Sequence, residues 1–270
     1  MLLLSGNCWA AGEYVVAGGL QADSADGIAA VLLGDVAVGE QTWLSAGLAR
    51  SSVELPIREA LETWYGDIGI DHLFDPVGVR LGIAYWGDNS VLDSIDGRAS
   101  VYFRSGRGSL SFDYEFRDFE LELPESDFTR RRKVKFDANG YGLGARFDLA
   151  ENLDVALRGM SYDYSVNLRL DPNRDIANLI SVTRLSLINT LVDYRVSGNL
   201  GIDFGLRRLE LEVGQWEGAV TGSRTNSYSV SFLTPIAERN DIEFELGYDD
   251  SENYGEVFFF SVLLYFYGGG

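Results

Sequence analysis

From Val77 onward the chain alternates: Val77, Val79, Leu81, Ile83 and Tyr85 are apolar, with Gly78, Arg80, Gly82 and Ala84 between them. The same period of two returns over Leu110–Arg117, Tyr141–Asp148, Leu200–Arg207 and Ile242–Asp249, where the intervening residues are Ser, Gly, Asp, Glu and Arg. A period of two marks a strand, because successive side chains leave a strand on opposite faces. One face of each strand therefore meets apolar surroundings and the other polar ones. A surface helix would need apolar residues three and four apart. No run approaches the roughly 18 apolar residues of a membrane-spanning helix.

Turns punctuate the strands in an alternating rhythm. Short polar turns are expected near Val38–Glu40, Asp75–Pro76, Gly106–Arg107, Ala150–Asn152, Ser197–Asn199 and Ala237–Asn240. The connections between them are mostly longer, notably Glu122–Lys133, Leu168–Ser181 and Gly214–Gly222. Six short turns join twelve strands, and strands near Tyr14–Ala22 and Glu256–Tyr267 bring the number to about fourteen, or twelve without the N-terminal hairpin. An even number puts both termini on the short-turn side, the periplasmic side of a bacterial barrel. The apolar phase shifts after Arg117, to Phe119, Leu121 and Leu123, and after Arg207, to Leu209, Leu211 and Val213. A β-bulge at each place would account for the shifts. Asp171–Ser181 lacks the period and suits a short helix.

Size decides which way the apolar face points. Fourteen strands about 4.8 Å apart and tilted about 40° make a tube roughly 28 Å across, too wide for inward apolar side chains to fill. The apolar face must then meet lipid. Aromatic residues on that face fit two interfacial girdles, Phe103, Phe147, Tyr194 and Phe232 before short turns, and Tyr85, Phe116 and Tyr248 near the other ends. The fold class expected is all-β, an antiparallel up-and-down transmembrane β-barrel.

On these residues the chain resembles the porin-like superfamily of Gram-negative outer-membrane β-barrels over nearly its whole length. The strand Val257–Tyr267 is similar to the aromatic-ended final strand that the barrel assembly machinery recognises, except that Gly268–Gly270 follow the aromatic. The resemblance implies outer-membrane lipid, lipopolysaccharide and the assembly machinery as partners.

Composition narrows the function classes. A formal charge of −19 over 270 residues repels nucleic-acid phosphates. The same balance attracts cations to a pore. With Cys8 alone there is no disulfide within the chain, and with His72 alone there is no histidine metal cluster. No cofactor or metal site is expected. Residues 1–10, with Cys8-Trp9-Ala10 as a small-x-small site, read as the remnant of a signal peptide. Residues 11–270 read as a single barrel domain.

Mid-strand charges are costly against lipid and belong in the lumen. The candidate lumen-lining set is Arg80, Arg104, Asp113, Glu115, Arg117, Arg146, Arg158, Asp203, Arg207, Glu243 and Glu245. Such residues set ion selectivity in a water-filled channel, or cross-link the wall and partly close it. Arg130, Arg131, Arg132 and Lys133 lie in an outer loop and suit lipopolysaccharide phosphates, since guanidinium pairs with phosphate bidentately. His72 follows Ile68 and Ile70 on the apolar face near a periplasmic turn, away from where an outer catalytic site would stand. Asp23, Asp26, Asp249 and Asp250 gather at the rim without the spacing of a calcium loop. The expectation is a passive channel for small polar or ionic solutes, with Leu168–Arg184 folding inward to narrow it. A structural or adhesion barrel, or a transporter of a hydrophobic substrate, are the alternatives; an enzyme ranks last.

Overall fold

The computed structural model describes residues 12–55, 58–88, 92–123, 132–167, 191–252 and 255–269. The expected helix at Asp171–Ser181 and the inward connection lie outside these residues, as do the leader remnant and Arg130 and Arg131. Fourteen strands follow one another in chain order: β1 (Tyr14–Asp23), β2 (Gly27–Gly39), β3 (Thr42–Leu55), β4 (Arg58–Leu73), β5 (Val77–Gly87), β6 (Leu92–Ser105), β7 (Gly108–Leu123), β8 (Arg132–Ala150), β9 (Leu153–Tyr164), β10 (Val192–Phe204), β11 (Arg207–Gly218), β12 (Arg224–Ala237), β13 (Asn240–Ser251) and β14 (Gly255–Gly268). Each pairs antiparallel with its chain neighbours, and β1 pairs with β14 from Tyr14↔Gly268 to Asp23↔Phe259, closing the barrel. Closure leaves no unpaired strand edge, the condition for placing backbone in hydrocarbon.

Alternation is the rule around the whole wall. Leu20, Ile68 and Leu143 are each 64–69% exposed although apolar, and their chain neighbours turn inward. One row shows the outward face across seven strands: Val16, Gly34, Ala46, Ile68, Ile83, Gly97 and Phe116 are successive cross-strand partners. This outer face is recessed over β1–β7, forming a shallow apolar hollow of about 1050 Å³. Small residues at Gly34, Ala46 and Gly97 deepen it.

The short turns stand at one end with the termini. Glu40–Gln41, Gly106–Arg107, Glu151–Asn152, Gly205–Leu206 and Glu238–Arg239 are two-residue connections. By the rule that periplasmic turns are short, this end is periplasmic. The turn at Gly205–Leu206 corrects the expectation at Ser197–Asn199, which lies inside β10. Gly205 takes φ +69°, which glycine reaches without strain at the first central position of a tight hairpin. The shift after Arg207 is therefore a turn, and β11 pairs with β12 in unbroken register.

The shift after Arg117 is not a bulge either. β7 pairs with β6 and β8 in unbroken register from Gly108 to Leu123. What changes is the medium. Leu110, Phe112 and Phe116 face outward with 41–55% exposure, whereas farther along the same face stand Asp118 and Glu120, and Phe119 faces inward, fully buried. The wall of β5–β8 thus rises past the apolar belt into water and folds an apolar core on its inner side. That core comprises Trp86, Leu92, Phe119, Phe136 and Ala138, joined by Leu191 and Val220 from the connections β9–β10 and β11–β12.

Candidate functional site

Inward side chains reach one another across intervening strands, which only the concave side of a wall permits. Arg195 on β10 stands 3.8 Å from Glu115 on β7. Tyr102 on β6 donates to Asp71 on β4 at 2.7 Å. The lumen therefore holds a connected network. At its centre Arg117 Nε lies 3.3 Å from Asp96 Oδ1 and 3.8 Å from Glu115 Oε1. Its guanidinium also sits over the rings of Phe119, Trp86 and Tyr162, at 4.8, 5.4 and 5.7 Å. Tyr162 OH donates to Glu115 at 2.8 Å, and Arg98 approaches both carboxylates, at 3.4 Å to Glu115 and 3.6 Å to Asp96. Nearer the periplasmic end Arg146 and Arg208 grip Asp154 at 3.0 and 2.8 Å, and Arg208 also meets Asp203 and Glu210 at 3.1 and 3.2 Å. Arg158 pairs with Asp113 at 3.2 Å. The buried Asp96, Asp113, Glu115 and Asp154 need these cations, since a buried carboxylate alone would be left uncompensated.

The opposite wall differs in kind. From β12 through β14 and β1 to β4, no Arg or Lys faces inward among the described residues, by the register of the strands. Carboxylates do: Asp241, Glu243 and Glu245 on β13, Asp35 on β2 and Asp67 on β4. The partners shown for the three on β13 are hydroxyls. Tyr267 donates to Asp241 at 3.0 Å, Tyr265 to Glu243 at 2.6 Å, and Ser261 to Glu245 at 3.0 Å. A hydroxyl holds a carboxylate in place without cancelling its charge. One side of the lumen is thus a salt-bridged arginine wall and the other carries net negative charge.

At the outer end several inward-facing residues are buried. Val53 on β3, Trp86 on β5, Leu92 on β6, Phe119 on β7, Ala138 on β8, Thr225 on β12, Asp249 and Ser251 on β13, and Val257 and Phe259 on β14 are all buried. The periplasmic end is wetter: Asp35 on β2, Arg104 on β6 and Asp148 on β8 are exposed there.

Most of the expected lumenal residues face inward by register, namely Arg80, Arg104, Asp113, Glu115, Arg117, Arg146, Arg158, Asp203, Glu243 and Glu245. Arg207 does not. It sits at the turn opposite outward Phe204, and its neighbour Arg208 takes the inward place. Asp96, Arg98, Asp154, Tyr162 and Arg195 also belong to the network and were not in the expected set. Arg98 shares the phase of Arg104 and was findable by counting in twos. Arg195 was hidden by the misplaced turn.

Phe103, Phe147 and Phe232 lie on the outer face toward the periplasmic turns, with Tyr85, Phe116 and Tyr248 toward the other end. Tyr194 is the exception. It stands near the outer start of β10, where its hydroxyl donates to Gln215 at 3.1 Å. Lys133 is on the outer face beside Glu120 and Glu122. Arg132 opens β8. His72 faces outward, with Nδ1 2.7 Å from Thr42 Oγ1 and its ring edge-on to Phe74 at 4.2 Å. Asp23 accepts from the amides of Ala25 and Gly27, each at 2.9 Å, and so shapes the β1–β2 turn.

No protein-family model matches the chain, and no curated protein matches it in sequence. Solved structures do match in shape. A channel described as the CymD monoaromatic hydrocarbon channel superposes with a TM-score of 0.61 at 11% identity, covering 97% of this chain and 90% of that one. The outer-membrane protein OmpT of Vibrio cholerae gives 0.55 at 9% identity, covering 95% and 97%. A loop-deleted form of that protein gives 0.53 at 10% identity, covering 95% and 98%. The shared feature is the fold. A closed barrel with an apolar outer belt spans a bilayer, and in bacteria that bilayer is the outer membrane.

Proposed function

We propose that this barrel is a passive channel for small polar and ionic solutes and that it favours cations. The observation that carries the reading is the asymmetry of the lumen. Among the described residues the inward arginines are confined to β5–β11, where most of them pair with carboxylates at 2.7–3.8 Å. The carboxylates of β13 are met by hydroxyls. A narrow aqueous path beside such a wall concentrates cations by attraction over distance, without a dedicated binding site.

The test is reconstitution in a planar lipid bilayer under a KCl gradient. Stepwise currents with a reversal potential on the potassium side are expected. Glu243→Gln together with Glu245→Gln should move that potential toward zero while leaving the barrel folded. Unselective or chloride-selective currents would overturn the cation preference.

The buried core on the inner side of β5–β8 at the outer end favours a second reading, a structural barrel that presents its outer connections for adhesion or assembly. A hydrophobic-substrate path is a third reading; Phe119, Leu92 and Ala138 form apolar surface at 0–1% exposure near that end. Lipopolysaccharide contact at Arg130–Lys133 stays part of the proposal. Lys133 has Glu120 and Glu122 as neighbours, which offsets its attraction to phosphate.

A further inference from the structure

The acidic side of the lumen is not uniformly polar. Glu243 on β13 has a leucine on each side of it: its cross-strand partners are Leu233 on β12 and Leu263 on β14. Directly opposed partners on one face stand about 4.5–5.5 Å apart at Cβ, so both leucines flank the carboxylate. All three side chains are only partly buried. Leu233 and Leu263 pack, with Tyr267, around Val15, Ala17 and Tyr265. Leu263 leans over β1, where a Cβ on Gly19 would lie 2.9 Å from its Cγ. The apolar lane continues on β2 with Leu33, the inward partner of Ala17, which is 38% exposed. Hydrocarbon therefore borders the aqueous path beside a carboxylate. The Tyr265 hydroxyl donates to Glu243 at 2.6 Å and fixes it without cancelling its charge. By register the nearest inward arginine is Arg208, opposite Leu233, and it is shared among Asp154, Asp203 and Glu210 at 2.8–3.2 Å.

A carboxylate framed in this way discriminates among solutes. An alkali cation gains only from the charge. A cation with a hydrocarbon body gains from the charge and also in proportion to the apolar area it covers. A neutral hydrocarbon would strip water from Glu243 and return no charge to it, which is costly. We propose that Glu243, Leu233 and Leu263 form a lumenal subsite for small amphipathic organic cations, an ammonium head with a short hydrocarbon body. This deepens the channel reading and rests on it, because it names the class of solute that the channel favours. Potassium has no hydrocarbon to lay on the lane, so its preference over chloride stays with the charged wall.

The test uses n-butylammonium and methylammonium, which share a head and differ in hydrocarbon. Binding of each to the folded barrel in detergent is measured by equilibrium dialysis, with protein-free micelles as the blank. Each is then added to the KCl bath of single-channel recordings. Heat-dependent gel mobility checks that every variant is folded. The parent should bind butylammonium about tenfold more tightly than methylammonium, as partial burial of three added methylenes implies. Butylammonium should also reduce the potassium current at correspondingly lower concentration. Leu233→Asn and Leu263→Asn should each weaken butylammonium by about fivefold, with methylammonium and the potassium-to-chloride ratio unchanged. Glu243→Gln should weaken both ions. This binding pattern with matching block supports subsite and channel together. The same binding pattern with silent bilayers keeps the subsite and overturns the channel. Equal affinity for the two ions, or butylammonium binding unchanged by both leucine substitutions or by Glu243→Gln, overturns the subsite whatever the currents show.

Discussion

Arg117 concentrates the chemistry of the lumen in one side chain. It is 4% exposed, packed against three aromatic rings and flanked by two buried carboxylates. Replacing it with methionine keeps the length of the stem and leaves the buried Asp96 and Glu115 without their buried cation, with the half-exposed Arg98 3.6 and 3.4 Å away. Arg117→Met is expected to cost about 3–5 kcal/mol, the usual result of breaking a buried ion pair from one side. Urea unfolding in lipid vesicles, followed by tryptophan fluorescence, measures it. Adding Asp96→Asn should return part of the loss, and equal losses in single and double variants would show that the rings rather than the carboxylates hold Arg117. A second residue-scale device pairs glycine with an aromatic ring across strands: Gly78 with Tyr102, Gly140 with Tyr162, and Gly247 with Phe259. A Cβ on Gly140 would lie 2.7 Å from the Tyr162 ring, while one on Gly159 meets nothing within 4 Å. Gly140→Ala should therefore push Tyr162 from Glu115 and cost about 1–3 kcal/mol. Gly159→Ala should change stability by no more than about 0.5 kcal/mol. Arg117 was legible in the sequence, because its phase put it inside. The glycine–ring pairs were not, because they depend on register between strands that the period of each strand does not reveal.

At the scale of the element, β7 shows how one strand serves two media. Leu110 to Phe116 present apolar side chains outward, and Asp118 to Glu122 present carboxylates from the same face. Read alone, the change of phase at Arg117 looked like an inserted residue, because a bulge and a change of solvent both exchange the apolar face. Only unbroken pairing with β6 and β8 tells them apart. The consequence is a difference in tolerance along a single strand. Phe112→Arg, within the belt, is expected to cost about 2–4 kcal/mol, as charges do when they face the bilayer midplane. Asp118→Leu, above it, should lie within about 0.5 kcal/mol of the parent. Unfolding in vesicles reads both. Equal costs at the two sites would mean that the belt does not end at Phe116. The β10–β11 turn carries a similar lesson. Ser197-Gly198-Asn199 has turn chemistry, yet Gly198 is a strand residue, and a Cβ there would lie 2.9 Å from Leu157 of β9. Pairing with β9 and β11 overrides the local preference, and Gly205 makes the turn.

For the whole molecule, the strand number, closure and belt followed from periodicity and size, because they depend on each strand separately. The contents of the lumen depend on sums over strands. Arg195 and Glu115 meet from strands three apart on a closed wall, and the segregation of arginine from the acidic side emerges only once β1 joins β14. That segregation yields a prediction about range. A dedicated ion site acts through contact, so added salt saturates it without altering its preference between potassium and chloride at the site itself. A charged wall acts through its field, and that field extends only about 10 Å at 0.1 M salt and about 3 Å at 1 M. The tube is roughly 28 Å across before its side chains narrow it. At low salt the field of Asp241, Glu243 and Glu245 reaches much of the path; at high salt it covers only a shell beside β13. Reversal potentials taken at a fixed concentration ratio should therefore give a potassium-to-chloride permeability ratio that falls steadily as mean KCl rises from 0.1 to 1 M. In the Glu243→Gln, Glu245→Gln variant the ratio should start lower and fall less. A ratio that holds constant across this range would place the preference in a contact site rather than in the wall.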